Sequence, residues 1–191
     1  MSAGTSGSSA DGPDDAGLVA IFSAKARAEL ELADRVAPGS DTVASAGDVF
    51  AAVMLVKGDP GPAEIAGGAA LSGPDGEAAR KALEAIGFGQ EPVFATVARP
   101  EAGIEREQLE KRLRGQIEAI DPYAVIALDR VAAELLAEVA RIERLAMGRP
   151  VRWMGRVLLA VDGLESSLVD DGAKRRVWNQ LKGLAPRRPA L

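Results

Sequence analysis

The sequence predicts an α/β fold, a three-layer sandwich around a central four-stranded parallel sheet. Short, nearly continuous apolar runs recur at Phe50–Val56, Val93–Val97, Ala124–Leu128 and Val157–Val161, the pattern of strands buried on both faces. Between them lie segments whose apolar residues recur at helical spacing. Strand–helix alternation of this kind builds a parallel sheet covered by helices on both sides.

The chain divides into four parts. Residues 1–17 are rich in Ser, Gly and Asp and are expected to form a disordered tail. They have no basic start and no apolar core, so they do not read as a secretory signal. Residues 18–48 hold a helix and a loop: Leu18, Phe22, Ala26, Leu30 and Ala33 recur at helical spacing as far as Val36, and Pro38-Gly39 ends the run. Residues 49–185 form the α/β domain, and residues 186–191 are a tail with Arg187 and Arg188 between prolines.

Within the domain, the first strand runs into a Gly/Pro-rich loop, Lys57–Gly73. A helix is expected over Pro74–Ile86, with Pro in its first turn and Gly87 just past its end. Ile104–Ile120 is amphipathic, with Leu109, Leu113, Ile117 and Ile120 on one side, and Asp121-Pro122 breaks it. Asp129 is placed to cap a helix carrying Val131, Leu135, Leu136 and Val139. Lys174–Leu184 closes the domain with Val177, Trp178, Leu181 and Leu184 turned inward.

Composition narrows the chemistry. Among the 191 residues, 47% are hydrophobic and only 4% aromatic, so the core must be aliphatic. The chain has no Cys, which excludes disulfides, thiolate metal sites and a cysteine-held iron–sulfur cluster. It has no His, so the usual neutral-pH base and commonest metal ligand are missing. No cofactor and no metal are expected. No stretch approaches the roughly 20 apolar residues of a membrane span, and the expected location is the cytoplasm.

The net charge of −5 is unevenly placed. Residues 1–140 carry 12 basic and 23 acidic side chains, whereas residues 141–191 carry 11 and 5. The basic last quarter either faces phosphates or caps helices and solvates one face.

In open α/β sheets ligands sit at the C-terminal ends of the strands. That rule selects Lys57–Gly73, the segment after Val97, the segment at Asp129, and Asp162–Asp171. The first of these goes directly from strand to loop as Val53-Met54-Leu55-Val56-Lys57-Gly58-Asp59-Pro60-Gly61-Pro62-Ala63-Glu64, then Gly67-Gly68-Ala69-Ala70-Leu71-Ser72-Gly73-Pro74. Here the chain resembles the uracil-DNA glycosylase superfamily, especially its bacterial iron–sulfur branch, whose loop typically reads V-G-E-A-P-G-x-x-E before G-x-P-F and a helix ending L-x-x-x-G. Val56, Pro60, Gly61, Glu64, Gly68 and Gly87 fall in matching places. Val125-Ile126-Ala127-Leu128-Asp129-Arg130-Val131-Ala132-Ala133 is similar to the family's V-I-V-A-L-G-R-x-A segment, with Asp129 in place of Gly. Leu113–Pro122 resembles the approach to that strand, and Lys174–Leu181 the closing helix. The similarity runs from about Val53 to Leu184 and implies a uracil-DNA glycosylase-like fold.

Such enzymes flip a base out of DNA and hold it in a pocket, and the resemblance implies roles residue by residue. Asp59, directly before Pro60, stands where the best-known branch has its water-positioning Asp; the iron–sulfur branch has its Glu one place earlier, at Gly58. Backbone N–H groups over Gly58–Gly61 would face the departing base anion. Leu71 aligns with the stacking Phe, Thr96 lies near the base-reading Asn, and Asp162 stands at the His of the H-P-S segment. Leu164 falls where the family inserts an apolar wedge into DNA. Apart from the resemblance, Arg152, Arg156, Arg175 and Arg176 read as cations that track a nucleic-acid backbone or solvate the surface, and Trp153, near two arginines, as a ring that stacks on a base or packs at a strand edge.

Every one of these residues also has a plainer role. Asp59 can cap the loop, Lys57 can contact phosphate or be solvated, Leu71 and Leu164 can pack in the core, and the arginines can solvate the surface. The departures from the family pattern are many: no His, no pocket Asn, no stacking aromatic and no cluster. They lead to the expectation of a divergent glycosylase-like chain without standard uracil excision, binding DNA or another protein. The alternative is an active DNA glycosylase of altered base specificity, with Asp59 positioning water. A third reading is a purely structural partner protein with an empty pocket.

Overall fold

The computed structural model describes residues 15–35, 42–164 and 170–184. The elements are α1 (Asp15–Asp34), β1 (Ala46–Gly47), β2 (Val53–Lys57), α2 (Pro62–Ile65), α3 (Pro74–Leu83), β3 (Val93–Val97), α4 (Arg106–Ile120), β4 (Ala124–Ala127), α5 (Arg130–Ala140), β5 (Val151–Trp153), β6 (Arg156–Ala160) and α6 (Asp171–Leu181). A π-helical turn, Glu84–Phe88, extends α3, and a 3₁₀ turn, Lys182–Leu184, extends α6. The tail at 186–191 and most of the tail at 1–17 lie outside the described residues; residues 15–17 already belong to α1.

The chain is α/β, but its sheet is six-stranded and mixed, not four-stranded and parallel. The order is β1-β3-β2-β4-β6-β5. The pairs β2–β3, β2–β4 and β4–β6 are parallel, while β1 and β5 add antiparallel edges. Both edges escaped the apolar-run criterion for physical reasons. β1 is only Ala46–Gly47. β5 is half exposed, and it joins β6 through Met154 and Gly155 at φ 46° and 83°, the positive pair that a two-residue hairpin turn requires.

Two apolar cores lie on opposite faces of the sheet. Met54, Val56, Phe94, Val125, Leu158 and Ala160 point to one side, where Leu113, Ile117 and Leu135 of α4 and α5 cover them. Val53, Leu55, Val97, Ile126, Leu159 and Val161 point to the other, under Ala79 and Leu83 of α3 and Val177 and Leu181 of α6. The strict alternation along each strand follows from the two-residue pleat. Leu113 and Ile117 are fully buried, and truncating such a side chain to Ala costs about 2–5 kcal/mol.

α1 docks on α4 through Ala26, Leu30 and Ala33. A Cβ at Gly115 of α4 would stand 3.0 Å from the Ala33 Cβ, so the missing side chain lets the helices approach closely. Asp121 at φ 48° and Arg141 at φ 58° end α4 and α5 in left-handed turns. Among the described residues no helix is long and apolar enough to cross a membrane.

Candidate functional site

The connection from β2 leads to β3, and that from β4 leads through α5 and the edge strand β5 to β6, in opposite directions along the sheet. The loops after β2 and β4 therefore part at a topological switch point, the usual ligand crevice of an open α/β sheet. Here the crevice is bridged. The backbone N–H of Gly58 donates to Asp129 Oδ2 at 2.6 Å, and Asp129 Oδ1 accepts the N–H of Ala132 at 2.9 Å. One carboxylate thus caps α5 and ties down the β2 loop. A Cβ on Gly58 would fall 2.4 Å from Asp129 Oδ1 and 2.6 Å from the Val131 Cβ, so only glycine fits.

Lys57 ends β2 on the α3 side and is 5% exposed. Its ammonium lies 2.6 Å from Asp75 Oδ2 and 3.3 Å from Glu64 Oε2, and both carboxylates are buried. Glu64 also accepts the backbone N–H groups of Gly61 at 3.0 Å and Leu71 at 2.9 Å. The cluster staples both ends of the Gly/Pro-rich loop to the first turn of α3. One ammonium serves two carboxylates, and this engages Lys57 internally. Beside it, Lys57, Asp75, Leu128, Asp129, Gly163 and Leu164 enclose a cavity of only about 70 Å³. Ligand pockets usually span about 300–1,000 Å³.

The other expected site residues are dispersed. Asp59 is half exposed and pairs with Arg99 at 2.5 Å, while the Arg99 backbone N–H donates to the Gly58 carbonyl at 2.9 Å. Pro60 is half-buried, and Gly61 caps α2. Leu71 is buried with φ 56° and belongs to the core on the α3 side. Its carbonyl lies where a Gly76 Cβ would be, at 1.8 Å. Leu164 is 5% exposed and packs in the same core. Asp162 is paired twice with Gln180: its N–H donates to Oε1 and its Oδ2 accepts from Nε2, both at 2.8 Å.

Thr96 lies on the other side of the sheet from Lys57 and is fully buried. Its hydroxyl donates to Gln116 Oε1 at 2.9 Å and accepts from Arg112 at 3.3 Å. Arg112 also donates to the Val97 carbonyl at 2.8 Å and to Asp34 Oδ1 at 2.9 Å. Gln116 reaches the same Asp34 oxygen at 2.8 Å. Burial lowers the Arg112 pKa from its ordinary value, and the neighbouring Asp34 carboxylate opposes that shift. Thr96 therefore belongs to a polar network that fastens α1 to the sheet.

The arginines separate into two places. Arg152 is exposed on β5, and Arg156 bonds Asp121 at 2.6 Å. Arg156 and Arg114 both lie within 6 Å of the Trp153 ring centroid, at 5.8 and 5.9 Å, which is cation–π distance. Arg175 and Arg176 are exposed on α6, over the other face. Asp75, Arg99 and Arg112 stand out in no sequence pattern, and in the sequence Glu64 and Asp129 are marked only as a loop match and a helix cap. Glu64 had a legible signal, an acid three residues after a helix-starting Gly61.

No protein-family model matches the chain, and no curated protein matches it.

Proposed function

We propose that the chain is a binding module on a uracil-DNA glycosylase-like three-layer scaffold, without standard uracil excision. The observation that carries this is the bridged crevice between the ends of β2 and β4: Lys57 is engaged by Asp75 and Glu64, Gly58 is bonded to Asp129, and among the described residues about 70 Å³ remains beside them. An excised base must occupy a pocket, and stabilising it as an anion needs preorganised donors aimed at it. The Gly58 N–H, one of the loop donors such a pocket would use, already serves Asp129. The chain contains no His, and Thr96 is committed to the α4 side.

A second reading keeps Asp59 as a water-positioning group in an active glycosylase of altered specificity, favoured by its 52% exposed side chain on the loop. Oligonucleotides bearing uracil, hypoxanthine or xanthine, followed by alkaline cleavage, separate the two. The binding-module reading expects no abasic product from either the parent protein or Asp59→Asn. Product from the parent that disappears in the variant would replace it with the enzyme reading.

A further inference from the structure

A groove of about 750 Å³ runs between α3 and α6, on the sheet face carrying Lys57. Its lining includes Ala78, Ala82, Leu164, Val177, Trp178 and Leu181. Trp178 is half-buried, leaving part of a large ring at the surface. The rim is basic: among the described residues, Lys81, Lys174 and Arg175 line it against one acid, Glu77. The three cations are exposed, and none has an ion pair among the described residues. Lys182 adds a fourth, with its ammonium 5.1 Å from the Trp178 ring centroid. These cations stand on a protein of net charge −5.

We propose that this groove docks an acidic amphipathic helix of a partner protein, its apolar face against Trp178 and its carboxylates meeting Lys81, Lys174 and Arg175. This deepens the binding-module reading and rests on it by naming the partner's chemistry. Two parallel observations favour a helix. The concavity lies between two helices with an apolar floor, the form in which an amphipathic helix is usually received. The sheet edges, where an added strand would pair, are β1 and β5, and neither lines this groove. Charge complementarity sets the sign of the partner and speeds encounter at low salt. A nucleic acid strand would need cations along a continuous backbone track, whereas the cations here bracket an apolar floor of Ala, Leu, Val and Trp178 with the acid Glu77 on its rim.

The probe is a fluorescein-labelled helix of about five turns, with Leu on one face and Glu on the other, titrated by anisotropy at low salt. Its counterparts carry Lys in place of Glu, or are a single-stranded oligonucleotide of equal charge. The protein carries Trp153→Phe, so that its emission reports Trp178 alone. Saturable binding of the Glu helix, a shift in Trp178 emission and at least a tenfold loss in Lys174→Glu/Arg175→Glu support the proposal. A Lys111→Glu control, exposed on α4 across the sheet from the groove, should bind like the parent.

No binding of the Glu helix, equal binding of the Lys helix, or insensitivity to the double variant overturns it. Preference for the oligonucleotide with the same variant dependence would make the groove a nucleic-acid site instead. A dimer in sedimentation velocity that the double variant dissolves would make a second copy its occupant. The uracil and hypoxanthine assays stand apart from this test: an active enzyme that still bound the Glu helix would overturn catalytic silence and leave the groove's assignment intact.

Discussion

The Asp129 carboxylate holds the Gly58 N–H at 2.6 Å with one oxygen and the Ala132 N–H at 2.9 Å with the other, so a helix cap and a loop clamp are one group. Caps of this kind contribute about 1 kcal/mol, and a charge-assisted bond to a second N–H about 1.5–3 kcal/mol. Asp129→Ala should therefore destabilise the fold by about 2–4 kcal/mol in urea unfolding and speed amide exchange at Gly58 and Ala132. Asp129→Asn keeps one acceptor and should lose less. A loss below about 0.5 kcal/mol for the alanine variant would mean that water replaces the carboxylate at no cost.

Lys57, Glu64 and Asp75 form a buried set in which removing one member strands the others. Lys57→Met leaves two carboxylates facing each other out of solvent, a loss of about 3–5 kcal/mol. Adding Glu64→Gln and Asp75→Asn removes the stranded charges, and the triple variant should regain a large part of that loss in the same unfolding assay. Strict additivity of the three changes would show that they do not act as a unit.

These clusters also explain what could be seen in advance. The four inner strands were legible because each is a nearly unbroken apolar run. The expected strand Phe50–Val56 is Val53–Lys57 in the fold: Lys57 is still strand because its ammonium is held by carboxylates seven and eighteen positions away, a pairing that no local pattern displays. Thr96 is the opposite case. The pleat places it on the Phe94 side, toward α4, yet a strand apolar on both faces gives no alternation from which to read the side. The loop itself was marked by its glycines and prolines. Its closure depends on distant partners, Asp129 and Asp75, whose acids look like ordinary helix caps.

Arg106 and Glu138 link the start of α4 to the last turn of α5 through two bonds of 2.6 and 2.7 Å. The hydrogen bond from Arg106 holds the Glu138 carboxyl below its ordinary value, against the opposing effect of burial. The lowered native pKa means that the unfolded chain takes up the proton first as pH falls. The contribution is thus present above the ordinary glutamate value and lost as pH drops through the native one. Both side chains are 41% exposed, so solvent screening limits the pair to about 0–1 kcal/mol. Glu138→Gln should be slightly less stable than the parent near neutral pH, with the gap closing in acid. A gap that persists unchanged below the native titration would assign the effect to packing.

Asp34 is the last residue of α1 and accepts from both Arg112 and Gln116 of α4. Arg112 is almost wholly buried, while the Asp34 side chain is 36% exposed. Deleting the acid leaves a guanidinium that has given up water and kept only a carbonyl and a hydroxyl. A fully buried pair broken this way loses about 3–5 kcal/mol; partial access of water to Asp34 should reduce the loss to about 1–2 kcal/mol. The loss should be local, since α1 touches the rest of the domain along one short stripe, Ala26, Leu30 and Ala33. Asp34→Ala should accelerate amide exchange throughout α1 while leaving β2 and β4 protected. Gly115→Leu, which forces a side chain into the Ala33 contact, should produce the same pattern by a route that leaves the Arg112 charge balance untouched. If either variant instead lowered protection across β2 and β4 equally, α1 would be part of the cooperative core and not a helix fastened onto it.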